Sequence, residues 1–496
     1  MSVPNIVLIT TDQMRADLMG CAGNPIIQTP HLDFLAKRGG RFTQAISTQP
    51  VCIPARATIM TGLEGHSLGI TTYKEGFEIP VEDTLPRLLN QAGYQTKAVG
   101  KMHVYPERCH YGFESMLICE EGRIIGQANN ENKGLDDYEQ WLAEQGYPGQ
   151  AFGHGLANNE YAVTPWHLPD RLHPTEWIGL ETCKAIKNRD WTRPLFLWSS
   201  FTAPHPPLAP LLNDLYLYDR DSMPKPVKGD WVGNHPLFHQ YNLAQWFGDQ
   251  TTEKQTDLAY RAFYALITQV DRQINRIIGT LREEGMLDNT WFIFASDHGD
   301  CMGDHQLWSK SNFLRGACNI PLIITPPPRG NLDRAVAENW VPGITSHSVV
   351  GLQDIMPTCL EIAGVAAPNG LDGKSLLPLL KEPSAKVRDA ILGEFGPIGK
   401  RSFMLSDGCW KYIWYEEDDA QLLFHVADDP DEISDLSTKL PAKAQVWRKK
   451  LADKLQGRIN DRAIDGDILR PVSPDRMLSE LERARMVTDH NARGLH

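Results

Sequence analysis

A chain of 496 residues with 42% hydrophobic content can bury a core large enough for one big domain and a smaller one. Its net charge of -13, with no basic run to neutralise phosphates, argues against nucleic acid as a partner, so an anionic ligand would need positive charge gathered locally inside a cleft. No stretch reaches the roughly 18 to 20 apolar residues of a membrane span, and the start Met1-Ser2-Val3-Pro4-Asn5 shows no basic region or cleavage-site pattern; with nine scattered cysteines this predicts a cytoplasmic protein, or a periplasmic one if an export signal has been removed.

The first predicted element is a buried strand, Ile6 to Thr10, which ends at Asp12 and Gln13. Cys52-Ile53-Pro54-Ala55-Arg56 follows, and then a strand from Gln95 to Val99 that runs into Gly100-Lys101-Met102-His103. From Pro106 to Arg189 the periodicity is weak and aromatic residues are frequent, among them Tyr138, Trp141, Tyr147, Tyr161, Trp166 and Trp177. A long loop of this kind in a compact domain is a candidate for substrate recognition. The strand Leu195 to Ser199 leads to Thr202-Ala203-Pro204-His205-Pro206-Pro207, where prolines on both sides fix the backbone around a histidine. A second irregular insertion spans 205 to 250.

The clearest helix runs from about Asp257 to Glu284, with Phe263, Leu266, Ile267, Val270, Ile274, Ile277, Ile278 and Leu281 forming one apolar stripe and Gly285 stopping it. The strand Trp291 to Ala295 delivers Asp297-His298-Gly299, and Gly303-Asp304-His305 leads to Lys310. A last strand of this group is Leu322 to Ile324. Strands alternating with helices predict an α/β fold, a large, mainly parallel sheet sandwiched by helices, with ligands bound beyond the carboxyl ends of the strands. Asp12, Lys101, Thr202 to His205 and Asp297 all fall just after strands, so four segments should meet on one rim.

After about residue 385 the texture changes to strand-like pieces at Ala390 to Phe395, Ser402 to Ser406, Trp410 to Trp414 and Leu422 to Val426. Asp428-Asp429-Pro430-Asp431-Glu432 reads as a helix-capping turn before a helix from Lys443 to Gln456. The expected division is a main domain at 1–385 and a smaller antiparallel-sheet unit at 386–496, with a polar tail from Gly457 lying over the surface.

Two carboxylates, Asp12 and Asp297, with an adjacent amide and imidazole at Gln13 and His298, suit a hard divalent cation bound largely through oxygen. Cys-x-Pro-x-Arg at Cys52 to Arg56, continued by Ala57-Thr58-Ile59-Met60-Thr61-Gly62, resembles the signature of the type I sulfatases, within the alkaline phosphatase-like superfamily. The likeness covers most of residues 5 to 380, including His347 to Thr358 and Leu371-Asp372-Gly373-Lys374-Ser375-Leu376, and extends to a C-terminal run from Tyr412 to Leu436. It implies that a maturating enzyme oxidises Cys52 to formylglycine, whose hydrate supplies the nucleophilic oxygen, and that residue 52 also contributes an oxygen to the metal.

By the same resemblance Lys101 and Lys310 hold sulfate oxygens, Arg56 orients the hydrated aldehyde, His103 helps release sulfate, and His205 contacts the ester as a general acid for the leaving alcohol. Asp304 and His305 belong to the same stretch without a definite role. The chain departs from the family pattern in three places. Gln13 replaces a common second aspartate, His298 replaces a common asparagine, and Ala55 replaces a frequent serine. Calcium remains the favoured metal, with manganese or zinc brought into play by the imidazole.

The expected activity is hydrolysis of aryl or carbohydrate sulfate monoesters. The nearest rival is a phosphonate or phosphate monoester hydrolase, a family that shares the Asp-Gln start but tends to lack the Lys and His of Gly100 to His103. A non-catalytic sulfated-glycan-binding protein is the rival from another class, and a homo-oligomer is a further possibility.

Overall fold

The computed structural model describes residues 3–120, 136–233, 251–328, 340–458, 461 and 463–471. Its centre is an eight-stranded sheet of β1 (Asn5–Asp12), β2 (Gly40–Ile46), β3 (Gln95–Gly100), β4 (Ser115–Ile118), β5 (Leu195–Pro204), β6 (Thr290–Ser296), β7 (Leu322–Thr325) and β8 (Ile344–Gly351). The spatial order is β4-β3-β5-β1-β6-β7-β2-β8. Every neighbouring pair is parallel except the two that β7 makes, with β6 and with β2. The expectation for Leu322 to Ile324 is corrected here, since that strand is antiparallel. The chain stays on the carboxyl side of the sheet between Ser296 and Leu322, with no crossover helix to carry it back, so it must re-enter in the opposite direction.

Eight helices matter for the site: α1 (Pro30–Arg38), α2 (Cys52–Thr61), α3 (Leu85–Gln91), α4 (Asp137–Glu144), α5 (Pro174–Lys187), α6 (Glu253–Glu283), α7 (Ile355–Ala363) and α8 (Pro441–Leu455). Successive strand residues point to opposite faces. Val7, Ile9, Leu197 and Phe294 therefore pack on one side with α1, α5 and α6, while Ile6, Leu8, Trp198 and Ile293 pack on the other with α2, α3 and α7. Each fully buried side chain of this size contributes about 1.5–3 kcal/mol, and the sheet is covered on both faces, as its near-continuous apolar strands require. The long helix begins earlier than its stripe suggests. Thr252 accepts from the Gln255 amide in a capping box, and Gly285, at φ 67, ends it.

Three strands of the eight-stranded sheet escaped the sequence reading. In Gly40–Ile46 and Ile344–Gly351 polar residues interrupt the apolar pattern, and Ser115–Ile118 is a four-residue edge strand. The region from Pro106 to Arg189 also contains more regular structure than its weak periodicity suggests, namely α4 and α5. Tyr138, Trp141 and Trp177 pack on one another at 5.6–6.5 Å as part of the core on the α1, α5 and α6 face of the sheet. Residues 121–135 of that region, and 234–250 of the second insertion, lie outside the described residues.

Beyond these elements, β9 (Ile391–Phe395), β10 (Ser402–Ser406), β11 (Lys411–Tyr415) and β12 (Gln421–Phe424) form an antiparallel sheet. Met404, Ile413 and Phe424 face the main sheet's loops around Phe313 and Leu314, and Phe403, Trp414 and Leu423 face Trp447 and Leu451 of α8. A buried ion pair of 2.6 Å between Lys411 and Glu432 ties this sheet to the segment after Lys310, because Glu432 also accepts from the Arg315 amide at 2.7 Å. Asp429 accepts from the amides of Ile433 and Ser434, so the acidic run closes a turn of its own and no helix starts there. Of the polar tail, the described part includes two short paired strands, Ile464–Asp465 and Ile468–Leu469, and the rest lies outside the described residues. No helix of the described residues is long and apolar enough to cross a membrane.

Candidate active site

The parallel strands bring their carboxyl ends to one rim. β1 lies between β5 and β6, so Asp12 ends beside Pro204 on one side and beside Ser296 and Asp297 on the other. β2 runs to the same rim, where Val51 caps α2 and Cys52 becomes its first residue. Gly100, at φ 104, ends β3 so close to β5 that a Cβ would sit 1.9 Å from the Ser200 carbonyl oxygen. Only glycine fits there, and the turn delivers Lys101, whose amide donates to that same carbonyl at 2.9 Å.

Asp12, Cys52, Asp297 and His298 are all buried, and each offers a ligand atom within 4.8 Å of the others. Cys52 Sγ lies 3.2 Å from His298 Nε2 and 3.9 Å from Asp12 Oδ1. His298 Nδ1 donates to the Gly299 carbonyl at 3.0 Å, which leaves the Nε2 lone pair turned inward, the tautomer that a metal-binding imidazole adopts. Burial, the largest influence, lowers the His298 pKa, but the Asp297 carboxylate and the charge and hydrogen bond of Cys52 together outweigh it, so the net shift is upward. The cluster therefore draws positive charge, whether a proton or a cation. An oxygen-rich donor set with one oriented imidazole fits a divalent ion.

Around this cluster stand the cations. Lys101 is fully buried and ion-paired with Asp12 Oδ2. Arg56 donates from Nε to Asp297 at 2.9 Å and from one terminal nitrogen to the Lys101 carbonyl at 2.6 Å and to Ser200 Oγ at 2.8 Å. Lys310 Nζ reaches Gln13 Oε1 at 2.6 Å, His205 Nε2 at 2.7 Å and Cys52 Sγ at 3.5 Å. His205 Nδ1 donates to the Pro206 carbonyl at 2.5 Å, so Nε2 is the acceptor that meets the lysine ammonium.

Burial raises the Asp12 pKa, yet Lys101, His205, His298 and Lys310 together hold it well below the ordinary carboxylate range. Burial and Asp12 likewise push the Cys52 thiol up, while Lys310, Lys101 and His298 pull it down further, so its net shift is toward thiolate.

Of the ten residues predicted from sequence, the structure joins Asp12, Gln13, Cys52, Arg56, Lys101, His205, Asp297, His298 and Lys310 in one network. His103 is held through its backbone, which donates to Glu120 Oε1 at 2.9 Å, and its ring meets Tyr73 edge-on at 6.2 Å. Asp304 pairs with Arg15 at 2.7 Å, and His305 accepts from the Gly229 amide at 3.1 Å and packs on Trp231, so both brace the loop 226–232.

Four residues of the network were not anticipated: Ser200, Glu120, Asp300 and Tyr161. Asp300 was within view, because it directly follows Asp297-His298-Gly299. Tyr161 carried no local signal, since its partner Gln13 is 148 positions away. A pocket lined by Asp136, Tyr138, His154, Trp166 and His173 adjoins His205. Burial pushes His154 down to about 4 and His173 down to about 3, which keeps this wall uncharged at its imidazoles.

A buried acid, imidazole and thiol focus flanked by three cations, at the carboxyl rim of a doubly covered sheet, is the apparatus of a hydrolase acting on an anionic ester. A family model described as Sulfatase matches residues 4–365, and one described as N-sulphoglucosamine sulphohydrolase, C-terminal, matches residues 303–461. An arylsulfatase of Clostridium perfringens is 35% identical over 466 residues, covering 92% of this chain and 95% of that protein. A choline-sulfatase of Rhizobium meliloti is 28% identical, covering 88% of this chain and 82% of that protein.

Among solved structures, a phosphonate monoester hydrolase of Agrobacterium radiobacter shares the fold at TM-score 0.75 and 24% identity, covering 91% of this chain and 95% of that one. A protein solved with its substrate D-glucosamine-2-N,6-O-disulfate shares it at TM-score 0.72 and 22% identity, covering 93% and 99%. The chain belongs to the sulfatase family, and it is an enzyme that hydrolyses sulfate monoesters.

Proposed function

We propose that the protein cleaves aryl or carbohydrate sulfate monoesters with a formylglycine made from Cys52 and one divalent cation, calcium in preference to manganese or zinc. The observation that carries this reading is the position of Cys52 Sγ, 3.2 Å from His298 Nε2 and 3.5 Å from Lys310 Nζ, where a nucleophile, a cation site and an anion clamp coincide. Asp12, Gln13, Asp297, His298 and the residue 52 oxygen would hold the ion, and when bound it supplies the Lewis acidity that favours an alkoxide at residue 52.

The remaining chemistry belongs to the chain's own side chains. Lys101, Lys310 and Arg56 gather three positive charges in a molecule of net charge -13, which counters the like-charge repulsion a sulfate would otherwise meet. Lys310 and His205 share one proton across 2.7 Å, and the bridging oxygen takes it as the ester bond breaks. His103, braced by Glu120, is assigned to proton removal when sulfate is released. The aromatic pocket beside His205, its imidazoles held neutral, suits the sugar or aryl ring of the leaving alcohol.

In this reading residues 1–385 form the catalytic domain and 386–496 a supporting unit, a maturating enzyme is a required partner, and the setting is cytoplasmic, or periplasmic after removal of a signal. Mass spectrometry of the peptide containing residue 52, alongside turnover of an aryl sulfate by the parent and by Cys52→Ala, tests the chemistry. Formylglycine in the parent and a loss of at least about a thousandfold in the variant are expected. An unmodified thiol in protein from its native host, with no hydrolysis, would refute it.

Gln13 favours a second reading, phosphonate monoester hydrolysis, because it lowers the negative charge at the ion. Lys101 and His103 weigh toward sulfate. Readily measured aryl sulfate turnover without aryl phosphonate turnover is the expected result, and the reverse preference would replace the first reading by the second.

A further inference from the structure

Asp300 is fully buried, and both of its oxygens accept twice. Oδ1 takes the amides of Met302 at 2.7 Å and Ser309 at 2.9 Å. Oδ2 takes the Tyr161 hydroxyl at 2.5 Å and Gln13 Nε2 at 2.6 Å. The first pair closes the turn that presents Lys310. The second pair fixes the side chain of Gln13.

Gln13 Nε2 has two hydrogens, and both are used, one on Asp300 and the other on the Tyr161 oxygen at 2.9 Å. The carbonyl oxygen must then face the other way, where it receives the Lys310 ammonium at 2.6 Å. An ionised carboxylate only accepts and an ammonium only donates. Turning the amide over would set oxygen against Asp300 and NH2 against Lys310, so the orientation is enforced at both ends.

We infer that Asp300 and Tyr161 are positioning residues that make Gln13 a neutral oxygen ligand, and that Asp300 is the reason position 13 carries an amide and not an acid. The inference rests on the reading of Asp12, Gln13, Asp297 and His298 as the cation site. A carboxylate at position 13 would bring a second buried negative charge 2.6 Å from Asp300 Oδ2, and the Tyr161 hydroxyl that touches both side chains has a single hydrogen, which Asp300 already takes. The site thus holds one of its negative charges a residue further from the ion, and an acid at position 13 requires that position 300 give up its own.

The test compares the parent, Asp300→Asn, Gln13→Glu and the double variant, all stripped with chelator. Calcium and manganese affinities are measured by calorimetry, and kcat and KM on an aryl sulfate are measured separately. Each single variant is expected to weaken cation affinity by about ten- to a hundredfold. In the double variant the amide introduced at position 300 donates to the carboxylate introduced at position 13, while its oxygen keeps the two backbone amides, so affinity returns to within about tenfold of the parent.

Turnover does not recover in step, because a carboxylate at position 13 binds the Lys310 ammonium more tightly and withholds it from the substrate. Tyr161→Phe, a milder change, is expected to weaken the cation several-fold with native unfolding behaviour. Additive losses in the double variant, or cation affinities for Asp300→Asn and Tyr161→Phe within twofold of the parent, would overturn the inference. A parent that binds neither ion would instead bring down the cation-site reading itself.

Discussion

Arg56 offers the sharpest separation of charge from geometry. It is 1% exposed, and its guanidinium makes three hydrogen bonds, to Asp297, the Lys101 carbonyl and Ser200, while its other terminal nitrogen faces Asp12 at 3.7 Å. Arg56→Lys preserves the positive charge but presents a single nitrogen in place of a planar fork. A single ammonium cannot stand where both Nε and the terminal nitrogen stand, so the bond to Asp297 or the pair to the Lys101 carbonyl and Ser200 is lost, and with Asp297 kept two bonds go.

At about 1.5–3 kcal/mol for each charge-assisted bond, the expected loss is about 3–6 kcal/mol, a large share of the 5–15 kcal/mol that typically separates folded from unfolded protein. Urea unfolding of chelator-treated protein measures it, read as a shift in midpoint at constant slope. Turnover of an aryl sulfate should fall at least about tenfold, because Arg56 also fixes the backbone that carries Lys101. A stability change under about 1 kcal/mol with unaltered kcat would show that charge alone is needed and refute the argument from the fork.

Further consequences follow for two histidines. The buried ring of His173 accepts from the Thr175 amide and meets the Ala209 carbonyl, and burial pushes it down to about 3. Its folded pKa lies below the unfolded value, so its contribution is present above about pH 6.5 and is lost as pH falls toward 3, at about 1.4 kcal/mol per unit. His173→Asn keeps a capping oxygen and cannot titrate, so its stability should decline less steeply than the parent's between pH 6.5 and 4; parallel curves would contradict the assignment. His205→Asn should slow esters of poor leaving alcohols by about 10²–10⁴-fold and good aryl leaving groups far less. An equal effect on both would remove His205 and its shared proton from the bond-breaking step.

Much of the site was legible in the sequence. Apolar runs such as Ile6 to Thr10 and Trp291 to Ala295 are long enough to be read as buried strands, and a polar residue just past a parallel strand must lie on the carboxyl rim. That logic placed Asp12, Lys101, His205 and Asp297 together without any contact information. The C-terminal sheet was legible for the same reason, with Ser402 to Ser406 matching the observed strand end to end. Strands β2 and β8 were not, because polar residues interrupt the apolar pattern on which the reading depended.

Local sequence determined which side chains stand at the rim, because strand length, turn glycine and helix start are set by neighbours in the chain. Only the tertiary structure decided how those side chains are wired. The antiparallel course of β7 depends on where the loop from 297 to 321 returns, and the orientation of the Gln13 amide depends on Tyr161, 148 residues away, and on Asp300, 287 residues away. A hydrogen bond acts over about 3 Å in space and has no reach along the sequence, so partners of this kind become visible only when the fold has brought them into contact.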